Sequence, residues 1–261
     1  MMIDSHCHLN FDDFTDDGID VVVKRAKDAG VSRMLTICTK LEEADKLRSI
    51  AESDPDIFCT VGIHPHEAEE TLNQIDAASL KNWLVDHTNH SKVIGFGETG
   101  LDYYYGHSPR DKQILSFRTH LEAAVQTDLP LSVHTRDAEE DTIELIRQFP
   151  RARGVIHCFT GSPWLRDQAL DIGFYISISG IITFNKAQEL RDTIKNIPLE
   201  RLLIETDAPF LAPVPFRGKK NEPSLIVHTA QTLADLKGVS LDDVSVATSE
   251  NFYKLFSKAV S

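Results

Sequence analysis

No stretch of this chain is apolar for long enough to cross a bilayer, and no basic segment followed by an apolar run opens it. Both absences point to a soluble, cytoplasmic protein with no membrane partner. Cysteine is scarce. The four are Cys7, Cys38, Cys59 and Cys158, and no two form a Cys-x-x-Cys pair. Each lies in or beside an apolar strand-like run, so buried reduced thiols are expected rather than disulfides or a zinc–thiolate centre. Cys7 is expected to point away from His6 and His8. Positive charge is also in short supply: 27 basic residues face 40 acidic ones, a formal charge of −13. That opposes long-range attraction to nucleic acid or to an anionic membrane surface. It leaves room for a phosphate-handling site, because two bound divalent cations would invert the local field. No low-complexity tract, Ser/Gly linker or short-period repeat divides the 261 residues. One domain over residues 1–261 is expected, and a monomer is favoured.

What is present begins with Ile3-Asp4-Ser5-His6-Cys7-His8. Side chains alternate across a strand, so His6 and His8 leave one face, a pleat apart, close enough to grip one metal ion. A lone His-x-His is weak evidence, since two partly buried histidines at a strand end would read the same way.

The pattern downstream alternates strands and helices. Strands are expected at residues 3–8, 31–39, 57–62, 92–97, 130–134, 154–158, 174–179 and 202–205. Helices are expected at 16–29, 41–53, 78–87, 110–127, 139–148, 163–172, 186–195, 223–237 and 241–256. Eight short apolar strands alternating with helices imply a parallel sheet covered by helices, and at this length closure into a (β/α)₈ TIM barrel. A doubly wound open sheet is the alternative. The lack of a Gly-rich dinucleotide fingerprint after the first strand weakens it.

Candidate ligands recur at the strand ends: His6 and His8, then Glu98, His134, His157 and Asp207. Barrel enzymes build their sites at the carboxyl ends of their strands, so closure would gather all six into one ring. Singly, each has a bland reading as a cap, a turn former or a hydrogen-bonded core histidine. Jointly they read as a metal site.

The order of these residues resembles the TatD-related metal-dependent deoxyribonucleases, a branch of the amidohydrolase-like barrels. The resemblance spans nearly the whole chain. Its carriers are Asp4-Ser5-His6-Cys7-His8-Leu9, Gly62-Ile63-His64-Pro65-His66, Gly97-Glu98-Thr99-Gly100-Leu101-Asp102, Val133-His134-Thr135-Arg136, His157-Cys158-Phe159-Thr160-Gly161 and Glu205-Thr206-Asp207-Ala208-Pro209. The run from Pro215 to Pro223 adds a further match. Some relatives lack the first histidine pair; this chain keeps it.

The resemblance implies that His6, His8 and Asp207 hold one divalent metal, that His134 and His157 hold a second, and that Glu98 bridges them. Zinc, manganese and magnesium all remain open, with magnesium the least natural tight binder for so many imidazoles. Glu98 and Asp207 are the expected catalytic residues, with a metal-activated water attacking a phosphodiester. The implied activity is hydrolysis of DNA, or RNA, by an exonuclease working on ends or short single strands, since bulk acidity disfavours a long duplex. The alternative is amidohydrolase-type or esterase chemistry at the same two-metal site, on a small molecule or an aminoacyl-tRNA ester.

Expected substrate contacts are His64, His66, Arg136 and Arg217. His64 and His66 read equally well as a loop packed around Pro65. Arg136 suits a phosphate oxygen by its fork geometry, or an ion pair with Asp137 or Asp102. Arg217, Lys219 and Lys220 form a basic island for a nucleic-acid backbone, or a solvated loop. Tyr103, Tyr104 and Tyr105 are candidates to stack on an unpaired base. Rim packing is expected of at least two of them. Glu205, two residues before Asp207, shares its strand face and reads as a supporting partner or an internal salt bridge.

Overall fold

In the computed structural model, which describes residues 1–14 and 18–260, eight strands stand in the order of the chain, all parallel. They are β1 (Met2–Cys7), β2 (Val31–Thr36), β3 (Ile57–Val61), β4 (Val93–Asp102), β5 (Leu131–Arg136), β6 (Gly154–Ile156), β7 (Tyr175–Ile178) and β8 (Leu202–Ile204). Ten helices surround them: α1 (Ile19–Asp28), α2 (Ala44–Ser53), α3 (Ala68–Gln74), α4 (Ala77–His87), α5 (Arg110–Thr127), α6 (Glu139–Arg147), α7 (Pro163–Asp171), α8 (Gln188–Lys195), α9 (Ile226–Lys237) and α10 (Leu241–Leu255). Strand sequences such as Ile-Phe-Cys-Thr-Val are buried throughout, as a parallel sheet covered on both faces requires.

The cylinder closes just past β8. Cys7 and Ala208 form a parallel bridge. The His8 N–H donates to the Ala208 carbonyl at 2.8 Å, and the Asp207 N–H donates to the His6 carbonyl at 2.9 Å. The seam of the barrel therefore runs through three of the candidate ligands. The open doubly wound sheet is ruled out by this closure.

Two apolar layers hold the wall. One lies between strands and helices and includes Val22, Ala26, Leu47, Leu84, Phe117 and Leu121. The other joins Ile3, Leu35, Phe58, Ile94, Val155 and Leu203 to Phe252, Leu255 and Phe256 of the C-terminal segment. Side chains from six strands meet one helix end only inside a cylinder, so this segment plugs the barrel. α10 is positioned for that task by a capping box, in which Ser240 and Asp243 exchange side-chain to backbone hydrogen bonds.

The element boundaries differ in instructive places. β4 continues five residues beyond Gly97, because Thr99–Asp102 pair with Val133–Arg136 of β5. α3 follows the turn at Pro65 and was not expected; only Ala68 and Thr71 of it are buried, too few for an apolar period. The expected start of the first helix, at Asp16 and Asp17, lies outside the described residues. Cys7, Cys38 and Cys59 are buried free thiols, and Cys158 is a part-buried one. Cys7 turns from the histidines as alternation requires, its Sγ 3.5 Å from the Leu35 carbonyl. Among the described residues no helix is long and apolar enough to cross a membrane.

Candidate functional site

The site is assembled from backbone that leaves little freedom. β1 delivers His6 and His8 to one face, their Nε2 atoms 3.2 Å apart. Asp4, buried two residues earlier, ties β1 to the segment past β8. Its carboxyl accepts from the Thr206 N–H at 2.9 Å and from the Thr206 hydroxyl at 2.5 Å. Asp207 follows in the left-handed region at φ +56°, a strained setting that often marks functional positions. Glu98 is placed by the glycine before it. Gly97 has φ +127°, and a Cβ there would stand 2.6 Å from the Ser132 carbonyl oxygen. Gly62 allows the same approach from β3, since a Cβ on it would meet the Gly97 backbone at 2.5 Å. Any larger residue at either position would push Glu98 off the mouth.

The two oxygens of Glu98 face different partners. Oε2 lies 3.4 Å from His6 Nε2 and 3.7 Å from His8 Nε2. Oε1 lies 2.8 Å from His157 Nε2, 3.0 Å from His134 Nδ1 and 3.3 Å from His64 Nε2. Asp207 Oδ1 completes the first cluster, 3.5 Å from the Nε2 atoms of both His6 and His8. The structure thus brings together all six residues the sequence singled out as ligands. Glu98 lies within β4 rather than beyond it, and β5 runs two residues past His134.

This donor set fits divalent metal. Metal–ligand bonds of about 2.0–2.2 Å put neighbouring donors roughly 3–3.5 Å apart. The separations here run from 2.8 to 3.7 Å. Imidazole and carboxylate together suit first-row divalent ions. Three groupings could each hold an ion: His6 with His8 and Asp207, His6 with Glu98 and His157, and His64 with Glu98 and His134.

Electrostatics keep Glu98 and Asp207 ionised. Burial pushes Glu98 up, yet the facing His157, His64 and His134 outweigh it and hold its carboxyl well below the usual range. Burial likewise raises Asp207, but hydrogen bonding to His8 and the charge of His6 bring it down. Burial drives His6 below its ordinary value, reinforced by His157 beside it. The rings of His6 and His157 stack at 3.9 Å. Burial lowers His157 too, but Glu98 and Glu205 more than reverse that.

Behind the inner ring stand partners that orient it. His134 Nε2 lies 3.0 Å from Asp102 Oδ2, and His66 Nε2 lies 3.1 Å from the same oxygen. His157 Nδ1 lies 3.4 Å from Glu205 Oε1, which also accepts the Cys158 N–H at 2.7 Å. His6 Nδ1 lies 3.1 Å from the Ser132 hydroxyl. Glu205 is thus a supporting partner of His157. The supporting roles of Asp102, Ser132 and Asp4 were not read from the sequence. Asp102 sat inside a quoted motif, but the histidines it meets arrive from β5 and from the turn after β3.

The expected substrate contacts are less uniform. His64 reaches Glu98, whereas His66 stops at Asp102. Arg136 makes no ion pair with Asp102, whose carboxylate is occupied by the Tyr104 and Tyr105 N–H groups and the two imidazoles. Instead its guanidinium lies 4.0 Å and 4.7 Å from the ring centres of Tyr104 and Tyr105. Tyr103 alone of the three tyrosines packs inward, with its hydroxyl donated to Asp141. Tyr104 and Tyr105 are exposed, though Tyr105 also stacks on His107 and packs against His66. Arg217 lies over Phe184 at 4.5 Å and lines a cavity of about 520 Å³ with Thr160, Ser162 and Lys186. Phe210 is exposed at the rim beside Phe11 and His8.

The family of TatD related DNases matches residues 3–257 of the sequence. The chain belongs to that family. It is a metal-dependent hydrolase of the TatD type, and its relatives agree. An Escherichia coli K12 protein described as the uncharacterized metal-dependent hydrolase YcfH is 38% identical over 259 residues, covering 98% of this chain and 95% of that one. A protein of Erwinia tasmaniensis named 3'-5' ssDNA/RNA exonuclease TatD is 35% identical over 264 residues, covering 98% and 99%. The crystal structure of YjjV, a TatD homologue from Escherichia coli K12, superposes with a TM-score of 0.89 at 29% identity, covering 98% of each chain. This TatD-family barrel therefore carries its imidazole and carboxylate cluster on a fold shared over nearly its whole length.

Proposed function

We propose that this TatD-family hydrolase cleaves phosphodiester bonds at the ends of single-stranded DNA or RNA, using two divalent metal ions. The observation that carries the reading is the division of Glu98. One oxygen faces His6 and His8, and the other faces His134 and His157. A carboxylate so placed is suited to join two cations. His6, His8 and Asp207 would hold one, His134 and His157 the other, with Glu98 common to both. Zinc or manganese suits this donor set better than magnesium.

When bound, the ions would supply an acidified water and balance charge on the phosphate. The residues do the rest. Asp207 is the more open of the two carboxylates. With Oδ1 turned to His6 and His8, it accepts the attacking water's proton on Oδ2. Asp102 and Glu205 hold the His134 and His157 rings in place, so the inner nitrogens do not reorganise during the reaction. His66, Arg136 and Arg217 are the proposed substrate contacts. Arg136 on Tyr104 and Tyr105 offers a cation to the phosphate backbone and aromatic faces to an unpaired base. Phosphodiester cleavage is further supported by the Erwinia tasmaniensis relative, named as an exonuclease.

The test is degradation of end-labelled single-stranded DNA and RNA by purified protein loaded with Mn²⁺ or Zn²⁺. Stepwise shortening by the wild type, absent in His134→Ala, is the expected result. Intact oligonucleotides together with turnover of a lactone or carboxylic ester would replace this reading with the esterase one.

A further inference from the structure

His64 stands close enough to the centre to be taken for a metal ligand. Its Nε2 lies 3.3 Å from Glu98 Oε1, and it groups with Glu98 and His134 as a possible ion-binding set. Its other nitrogen argues otherwise. His64 Nδ1 accepts the backbone N–H of His66 at 3.1 Å, capping the short 3-10 turn Pro65–Glu67. A ring nitrogen that accepts a hydrogen bond carries no proton, so the ring's one proton sits on Nε2. An N–H has no lone pair to give a cation.

Three of the four proposed histidine ligands show the opposite arrangement; the fourth, His8, has no hydrogen-bond partner at Nδ1 among the described residues. The outer nitrogens of His134 and His157 face the Asp102 and Glu205 carboxylates, and that of His6 faces the Ser132 hydroxyl. Those partners can accept a hydrogen bond from the outer nitrogen, which would leave a lone pair pointing inward. The identity of the outer partner therefore sets His64 apart from His6, His134 and His157.

We propose that His64 is not a metal ligand but a fixed hydrogen-bond donor, its Nε2–H, which faces Glu98 Oε1 in this structure, available to an anionic oxygen of the substrate. The substrate class rests on the function proposed above, where that oxygen belongs to a phosphate. The donor is pre-aimed. The Ile63 N–H is bound by buried His120 Nε2 at 3.0 Å, and the His64 N–H by the Thr39 carbonyl at 2.9 Å. Pro65 stiffens the next step. The His64 side chain keeps part of its surface open at the mouth, unlike fully buried His6.

Three measurements on the metal-loaded, full-length protein test this. Nitrogen-15 NMR of the wild type is expected to show His64 as the Nε2–H tautomer with metal bound. Elemental analysis is expected to find wild-type metal content in His64→Ala and His64→Gln. Calorimetric titration with inorganic phosphate is expected to show binding weakened about 10–100-fold in His64→Ala, with partial recovery in His64→Gln, which keeps an N–H. An Nδ1–H tautomer, loss of a metal equivalent, or unchanged phosphate affinity would each overturn the proposal. None of these readings requires nucleic acid to be cleaved. Failure of the wild type to degrade oligonucleotides would count against the proposed function and leave the assignment of His64 standing.

Discussion

Asp102 Oδ2 lies 3.0 Å from His134 Nε2, and the other nitrogen of that ring lies 3.0 Å from Glu98 Oε1. The imidazole is thus strung between two carboxylates, one buried behind it and one at the centre. A carboxylate behind a ligating histidine fixes its tautomer and raises its basicity, typically worth 10–100-fold in metal affinity. Asp102→Asn is expected to weaken binding of one metal equivalent by about that factor while leaving the other unchanged. Competition with a chromophoric chelator, read as two separate equivalents, checks this. Equal weakening of both would show that Asp102 acts on the fold of the mouth rather than on His134.

Removing the shared carboxylate is a different experiment. Glu98→Gln leaves each cluster short of an anion, so both equivalents are expected to weaken and hydrolysis to fall below detection. His134→Ala touches one cluster and is expected to retain one equivalent. The same logic applies to stability. A ligand at 1,000 times its dissociation constant stabilises the folded chain by about 4 kcal/mol. A chelator is therefore expected to lower the melting temperature of the wild type and to leave that of Glu98→Gln nearly unmoved. Scanning calorimetry with and without chelator measures the difference.

Much of this centre was legible in the sequence for definite reasons. Period-two alternation places His6 beside His8, and closure of eight parallel strands collects donors from strand ends wherever they fall along the chain. What stayed hidden depends on pairings between distant segments. Thr99–Asp102 joins β4 only because β5 is there to bond with it, so Asp102 looked like a loop residue. α3 carries too few buried positions to show a period. His64 and His134 look alike in sequence, both following an apolar run. What tells them apart as ligands is the partner of the second nitrogen, a backbone N–H for one and a carboxylate for the other.

His120 of α5 illustrates a histidine that is structural and still sensitive to pH. It is fully buried, with Nδ1 on the Ser116 carbonyl at 2.7 Å and Nε2 accepting the Ile63 N–H. Burial drives it down to about 4 from the ordinary 6.5. The unfolded chain takes up this proton near pH 6.5 and the folded chain resists until about pH 4, so protonation favours unfolding within that window. The contribution is intact above pH 6.5 and is lost progressively towards pH 4, amounting to about 3 kcal/mol. His120→Leu is expected to be about 1–3 kcal/mol less stable than wild type at pH 8, from the orphaned Ile63 N–H. That gap is expected to narrow as pH falls below 6.5. Denaturant unfolding of both proteins from pH 8 to pH 4.5 gives the comparison, and a gap independent of pH would contradict it.

The barrel plug sets the last expectation. Phe256 is fully buried against strand residues that include Ile3, Leu35 and Ile94, and a Cβ on Gly95 would already stand 3.0 Å from its ring. Packing that close leaves no room for relaxation around a truncated side chain, so Phe256→Ala should open a cavity rather than collapse. The cost is expected at about 3–5 kcal/mol. The metal donors stand at the mouth and share none of these plug contacts. Metal content per folded chain is therefore expected to remain at the wild-type value while the unfolding midpoint falls sharply. Urea titration paired with elemental analysis of the folded fraction separates the two effects. Loss of metal from folded Phe256→Ala would mean that the plug and the donor cluster are mechanically coupled through the strands.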